Sequence, residues 1–236
     1  MEEINLKTAV ISGGNGFLGR AIRTSLESSG WRVITLGRHI GESDKEYRCD
    51  ISSENDVRAT IAKVVDRYGI IDACIHAAVH TIENKPLTDI SAEAFDTQME
   101  VTVGGAFLLS AAAIPHMSKG AAFIGITTKL LEAGMTLMPM GAYVPAKAAL
   151  RGFLRVLAND TRSRGIRVYA VAPGFLPGGL NSHLPDAVLR LFASKTGAGT
   201  ASLEETVDLI KTLCTEPSAY VPGSSVAISP IACSAL

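Results

Sequence analysis

Short apolar runs alternate with amphipathic segments along the chain, and the alternation predicts its elements. Lys7–Ser12 (KTAVIS) is apolar without a polar face, which predicts a strand covered on both sides. After Gly13-Gly14-Asn15-Gly16, residues Phe17, Leu18, Ala21, Ile22 and Leu26 recur at helical spacing until Ser29-Gly30 stops the helix. Arg32–Leu36 predicts the second strand, Gly37–Tyr47 a polar loop, and Cys49-Asp50-Ile51 a short third strand. Ser53 is the expected N-cap of a helix carrying Val57, Ile61, Val64 and Val65 and ending at Gly69. Asp72–Ala78 predicts a fourth strand, followed by a helix over Ala92–Met99 and a long helix through Phe107 to about Met117. Ala121–Thr127, Ile166–Ala172 and Ser225–Ile228 complete the strands, with helices over Tyr143–Arg164, near Pro185–Phe192 and over Leu203–Cys214.

Strands separated by helices imply an α/β fold with a parallel sheet of about seven strands and helices on both faces. No repeat or linker interrupts the pattern, so residues 1–236 are expected to form one domain. With 236 residues, 47% hydrophobic and 19% charged, the chain can build a substantial core. A formal net charge of -1 offers no field to attract nucleic acid. Neither a leader-like start nor an apolar stretch of membrane length is evident, so no membrane partner and a cytoplasmic location are expected. Cys49, Cys74, Cys214 and Cys233 lack metal-ligand spacing, and no metal site is expected.

Chemistry gathers at the strand ends. Ser12-Gly13-Gly14-Asn15-Gly16-Phe17-Leu18-Gly19 lies where a strand enters a helix, the context in which a glycine-rich turn cradles a diphosphate. Gly13 permits the turn, Gly16 admits the diphosphate, and Gly19 lets helix and sheet approach. This makes the sheet a doubly wound, Rossmann-type candidate for a nicotinamide dinucleotide. Beyond the second strand, Gly37 leaves the position of a ribose-binding carboxylate empty, while Arg38 and His39 offer donors to a 2′-phosphate. NADP(H) is therefore expected over NAD(H). Asp50 is a candidate acceptor for the adenine amino group or a plain strand-end aspartate; His76 could touch the adenosine or ribose side. Tyr143 and Lys147, four apart at a helix start, share a face. An ammonium beside the phenol would lower its pKa from near 10 toward neutrality and equip it for proton transfer.

Together these residues resemble the short-chain dehydrogenase/reductase family. The resemblance spans Ser12–Gly19, Asp50-Ile51, His76-Ala77-Ala78 in the fourth strand, Tyr143–Lys147, and Pro173-Gly174 with Leu176 in the nicotinamide loop. It implies carbonyl–alcohol interconversion by hydride transfer, with Tyr143 as acid/base assisted by Lys147, and a homodimer or homotetramer. The sequence departs from the family pattern in several places. The middle glycine of the usual single-domain pattern is Phe17, and the glycine of the Asn-Asn-Ala-Gly signature is Val79. The carbonyl-polarising serine is replaced by Thr127 or Thr128, the latter fifteen residues before Tyr143. The relay asparagine is Thr102, and the threonine after Pro173-Gly174 is Gly178. These departures leave a second reading open: a cofactor-binding regulatory or partner protein with weak or no catalysis.

The substrate is expected to be a small carbonyl or alcohol compound, under a lid from about residues 175–200. Leu130, Leu131, Met135, Leu137, Met138 and Met140 form an apolar loop that suits a greasy ligand, a subunit contact or the core alike.

Overall fold

Seven parallel strands form one sheet, running across it from Glu46–Arg48 through Arg32–Gly37, Thr8–Ser12, Ile71–His76, Met117–Ile126 and Arg167–Pro173 to Ser225–Ile228, in the computed structural model. It describes residues 6–41, 43–132, 138–176, 178–182, 185, 187, 201–216 and 219–228. The strands are β1 (Thr8–Ser12), β2 (Arg32–Gly37), β3 (Glu46–Arg48), β4 (Ile71–His76), β5 (Met117–Ile126), β6 (Arg167–Pro173) and β7 (Ser225–Ile228). The helices are α1 (Phe17–Ser28), α2 (Glu54–Tyr68), α3 (Ala92–Met99), α4 (Gly105–Ala113), α5 (Tyr143–Asp160) and α6 (Leu203–Thr215).

Every residue of β1 is buried, because successive side chains enter different cores. Val10 joins Val57, Ile61, Leu109, Leu150 and Leu154 of α2, α4 and α5. Ala9 and Ile11 face Ile22, Leu26, Ile210 and Leu213 of α1 and α6. The α6 start carries a reciprocal cap: Ser202 accepts from the Glu205 backbone, and the Glu205 side chain accepts from the Ser202 backbone.

The strand order reverses between β1 and β4, opening a crevice at their carboxyl ends. The third strand is displaced from its expected position. Glu46–Arg48 pairs with β2, whereas Cys49 and Ile51 turn into the core beneath α2 and α4. Burial, not pairing, accounts for that apolar run. Tyr143–Asp160 is shorter than the expected helix, since residues Arg162–Arg164 tighten into a separate turn before Gly165 takes a positive φ of 70°.

The helical run from Ala92 to His116 widens to a π-turn at Glu100–Gly104 and tightens at Ile114–His116. It is long and apolar enough to cross a membrane by length and composition, and half of that stretch is buried. Ala106, Leu109 and Ala113 account for much of this by packing into the sheet core, as a core helix does. Met117, expected near the end of this helix, begins β5.

Candidate active site

The crevice continues into a cleft of about 450 Å³, within the size range of small-molecule and cofactor sites. Its floor is the β1–α1 turn. Gly13 has φ 71°, and a Cβ there would lie 2.8 Å from Ala78 Cα; one at Gly19 would lie 2.2 Å from the Gly13 carbonyl. Side chains at these positions would fill the cradle or force the helix off the turn. Gly16 starts α1 without a side-chain cap, leaving amide groups at the Phe17 end of the helix available to an anion. Gly13, Asn15, Gly16, Phe17, Leu18 and Gly19 line the cleft.

At one end, Arg38 and His39 are exposed on the cleft rim beside Asp50 and Ile51. Arg38 forms no ion pair among the described residues. Bonds from Ser52 hold the Asp50 carboxylate below its ordinary pKa, and Arg38 adds to the effect against partial burial. Asn15 spans the two sides by donating to the His39 carbonyl at 2.8 Å. A Cβ at Gly37 would lie 2.7 Å from Asn15 Oδ1, so the amide occupies space beside the missing carboxylate position.

At the other end, Thr128, Tyr143 and Lys147 converge with Ala77, Ala78, Pro173, Gly174 and Leu176 on the same cleft. Thr128 and Tyr143 line the same end of the cleft, and the Thr128 hydroxyl is near enough to favour the phenolate. Thr127 instead donates to the Val171 carbonyl at 3.1 Å, which leaves Thr128 as the hydroxyl poised beside the phenol. Thr128 also caps the short Lys129–Leu131 turn by accepting from the Leu130 amide, and this turn takes up part of the longer spacing to Tyr143.

The Tyr–Lys electrostatics differ from expectation. Burial pushes the Tyr143 phenol up to about 12, with the neighbouring Thr128 hydroxyl pulling the other way. Lys147 does not offset this: burial brings its own pKa down to about 7, and its Nζ donates to the Ile126 carbonyl at 2.7 Å. The amine lies 5.7 Å from the Tyr143 ring centre. Desolvation of both groups outweighs the attraction expected from their spacing.

Three proposed contact residues lie behind the cleft wall and do not line it: Ser12, His76 and Thr102. The fully buried His76 donates through Nε2 to the Thr102 carbonyl at 3.1 Å, leaving Nδ1 to accept from the Ser12 hydroxyl at 2.9 Å. Burial drives the His76 pKa down to about 3. Thr102 Oγ1 accepts from Gln98 at 3.0 Å and is fully buried, which removes it from the surface where a relay water was expected. These groups brace the strand ends against the π-turn; they are not contacts in the cleft.

Val101, Leu36 and Cys49 line the cleft without a sequence signal for contact, and the Gly178–Asn181 turn lines it from the start of the expected 175–200 segment. Val101 reaches the wall from the π-turn, for which the sequence carries no periodic signal. Among the described members of the apolar loop, Leu130, Leu131, Met138 and Met140 are partly buried but do not line this cleft. Met135, Leu137 and most of the 175–200 lid with its expected helix lie outside the described residues. No cluster of three or more metal-ligating side chains occurs among the described residues.

The family model for enoyl-(acyl carrier protein) reductase matches residues 21–229. The chain belongs to the short-chain dehydrogenase/reductase family. This short-chain dehydrogenase/reductase is 33% identical over 185 residues to 2,5-dichloro-2,5-cyclohexadiene-1,4-diol dehydrogenase of Sphingobium indicum, covering 74% of each chain. It is 25% identical over 234 residues to 3-oxoacyl-[acyl-carrier-protein] reductase of Escherichia coli, covering 94% of this chain and 96% of the relative. A short-chain dehydrogenase from Burkholderia cenocepacia in complex with NADP shares the fold at a TM-score of 0.83 and 21% identity. That match covers 94% of this chain and 96% of the other. The family membership makes this chain an oxidoreductase acting on alcohol or carbonyl substrates.

Proposed function

We propose that this short-chain dehydrogenase/reductase interconverts a small carbonyl compound and its alcohol using NADP(H). The observation that carries the reading is that Thr128, Tyr143 and Lys147 line one cleft with the α1 turn and Arg38. The dinucleotide would supply or accept the hydride. Amides at the start of α1 would hold the diphosphate, while Arg38 would favour a 2′-phosphate through charge-assisted hydrogen bonds. Lys147 would exchange its Ile126 carbonyl bond for the nicotinamide ribose.

Thr128 would polarise the carbonyl oxygen while Tyr143 transfers the proton. With its pKa near 12, Tyr143 is protonated at neutral pH and set to donate in the reductive direction. In oxidation it would receive the alcohol proton after conversion to phenolate. Loss of the polarising hydroxyl in T128A should lower kcat about a hundredfold, measured with saturating cofactor on a responsive carbonyl substrate. Turnover equal to wild type in T128A would take carbonyl polarisation away from this residue.

Titration should show NADPH binding at least about tenfold more tightly than NADH, as expected when a 2′-phosphate gains an Arg contact. R38D should reverse the order. Equal affinities unchanged by the substitution would remove Arg38 from the reading; turnover over an alcohol and carbonyl panel then separates catalysis from cofactor binding alone. A second copy of the chain is the expected partner, with Phe107 and Val156 exposed by 55% and 61% on α4 and α5 as apolar contact positions.

A further inference from the structure

Phe17 occupies the first position of α1, where its backbone belongs to the proposed diphosphate cradle. Its ring points across the cleft to a second backbone segment. A Cβ at Gly178 would lie 2.8 Å from Phe17 Cζ, and one at Gly179 would lie 2.7 Å from Phe17 Cβ. Both glycines have positive φ, 125° and 59°, so the bare backbone there is required by conformation as well as by the ring. Gly178, Gly179, Leu180 and Asn181 all line the cleft.

The small turn is held from its other side. Asn181 and Ser182 amides donate to the Gly178 and Gly179 carbonyls at 3.1 Å each, and the Asn181 side chain donates to the Leu176 carbonyl at 3.0 Å. These bonds tie it to the chain leaving β6. Phe17 supplies an apolar contact on the α1 side.

Resting on the cofactor reading above, we propose that Phe17 is a positioning residue that seats the Gly178–Asn181 turn as a roof over the diphosphate. The aromatic ring fixes the separation between roof and cradle, while its own amide belongs to the cradle. Thus one residue couples the phosphate-binding helix to the chain leaving β6. A side chain at 178 would collide with the ring, and loss of the ring would leave the roof without this contact.

Stopped-flow release of NADPH, chased with excess NADP, tests the proposal. F17A should speed dissociation about tenfold, equivalent to about 1.4 kcal/mol, with little change in association rate. F17Y, which keeps the ring, should remain within about twofold of wild type, and G178A should accelerate release through the same contact. A merely structural loss would not confine its effect to dissociation or be rescued by tyrosine. Release from F17A at the wild-type rate, or equal acceleration in F17A and F17Y, overturns the proposal. A wild-type chain that binds neither dinucleotide overturns the cofactor reading and this proposal with it; binding with unchanged release in F17A overturns this proposal alone.

Discussion

Tyr143→Phe should leave NADPH affinity within about twofold of wild type while lowering kcat about a thousandfold, within the range of general acid–base effects. The substitution removes the phenolic hydroxyl and retains its ring against the cleft. Separate titration and single-turnover measurements distinguish the proton-transfer loss from a cofactor-binding loss. Undiminished single-turnover chemistry would require another proton donor, because the phenylalanine ring carries no exchangeable proton.

The second large effect concerns the pH dependence of the cofactor-free protein. Lys147 has a folded pKa near 7 against an ordinary value of 10.5 because its charged form is desolvated. Between those values the unfolded chain binds the additional proton, so stability should rise as pH increases from about 7 toward 10. Below the folded pKa the buried ammonium penalty remains; above the unfolded pKa it is absent. Lys147→Met should therefore stabilise the protein near pH 7 and flatten this rise, on the order of 5 kcal/mol over the full window. Urea denaturation at constant ionic strength checks the slope, with the upper limit kept below pH 10 because Tyr143 then begins to oppose it.

His76 supplies the contrasting acid limb. Its folded pKa near 3 lies below the ordinary 6.5 because burial favours the neutral ring. As pH falls from about 6.5 toward 3, the unfolded chain binds a proton that the folded chain resists, so stability declines. The same denaturation series with His76→Asn should weaken this decline. Parallel wild-type and variant curves in the corresponding windows would discard the burial account of these slopes.

The sheet and most helices were legible because apolar periodicity is local. Ser53 and Gly69, for example, mark the two ends of α2 as expected. The third strand was misplaced because the Cys49–Ile51 run can satisfy its apolar character in the core without joining a sheet ladder. The cleft's cradle was likewise readable from Gly13 to Gly19, whose close approaches depend on small residues in a specific turn. Long-range burial was not readable. It reverses the expected Tyr143 shift, commits His76 to Ser12 and Thr102, and draws Thr102 away from the cleft surface.

The wide turn at Glu100–Gly104 sets the phase of the helical run on either side of it. One residue beyond an ordinary spiral repeat changes the angular phase of every later side chain on the helix by about 100°. Val101 shares one buried core with Leu109 and Ala113 and also borders the cleft. A single offset in winding thus brings cleft-lining Val101 onto the side shared with Leu109 and Ala113, from which a uniform spiral would turn it by about 100°.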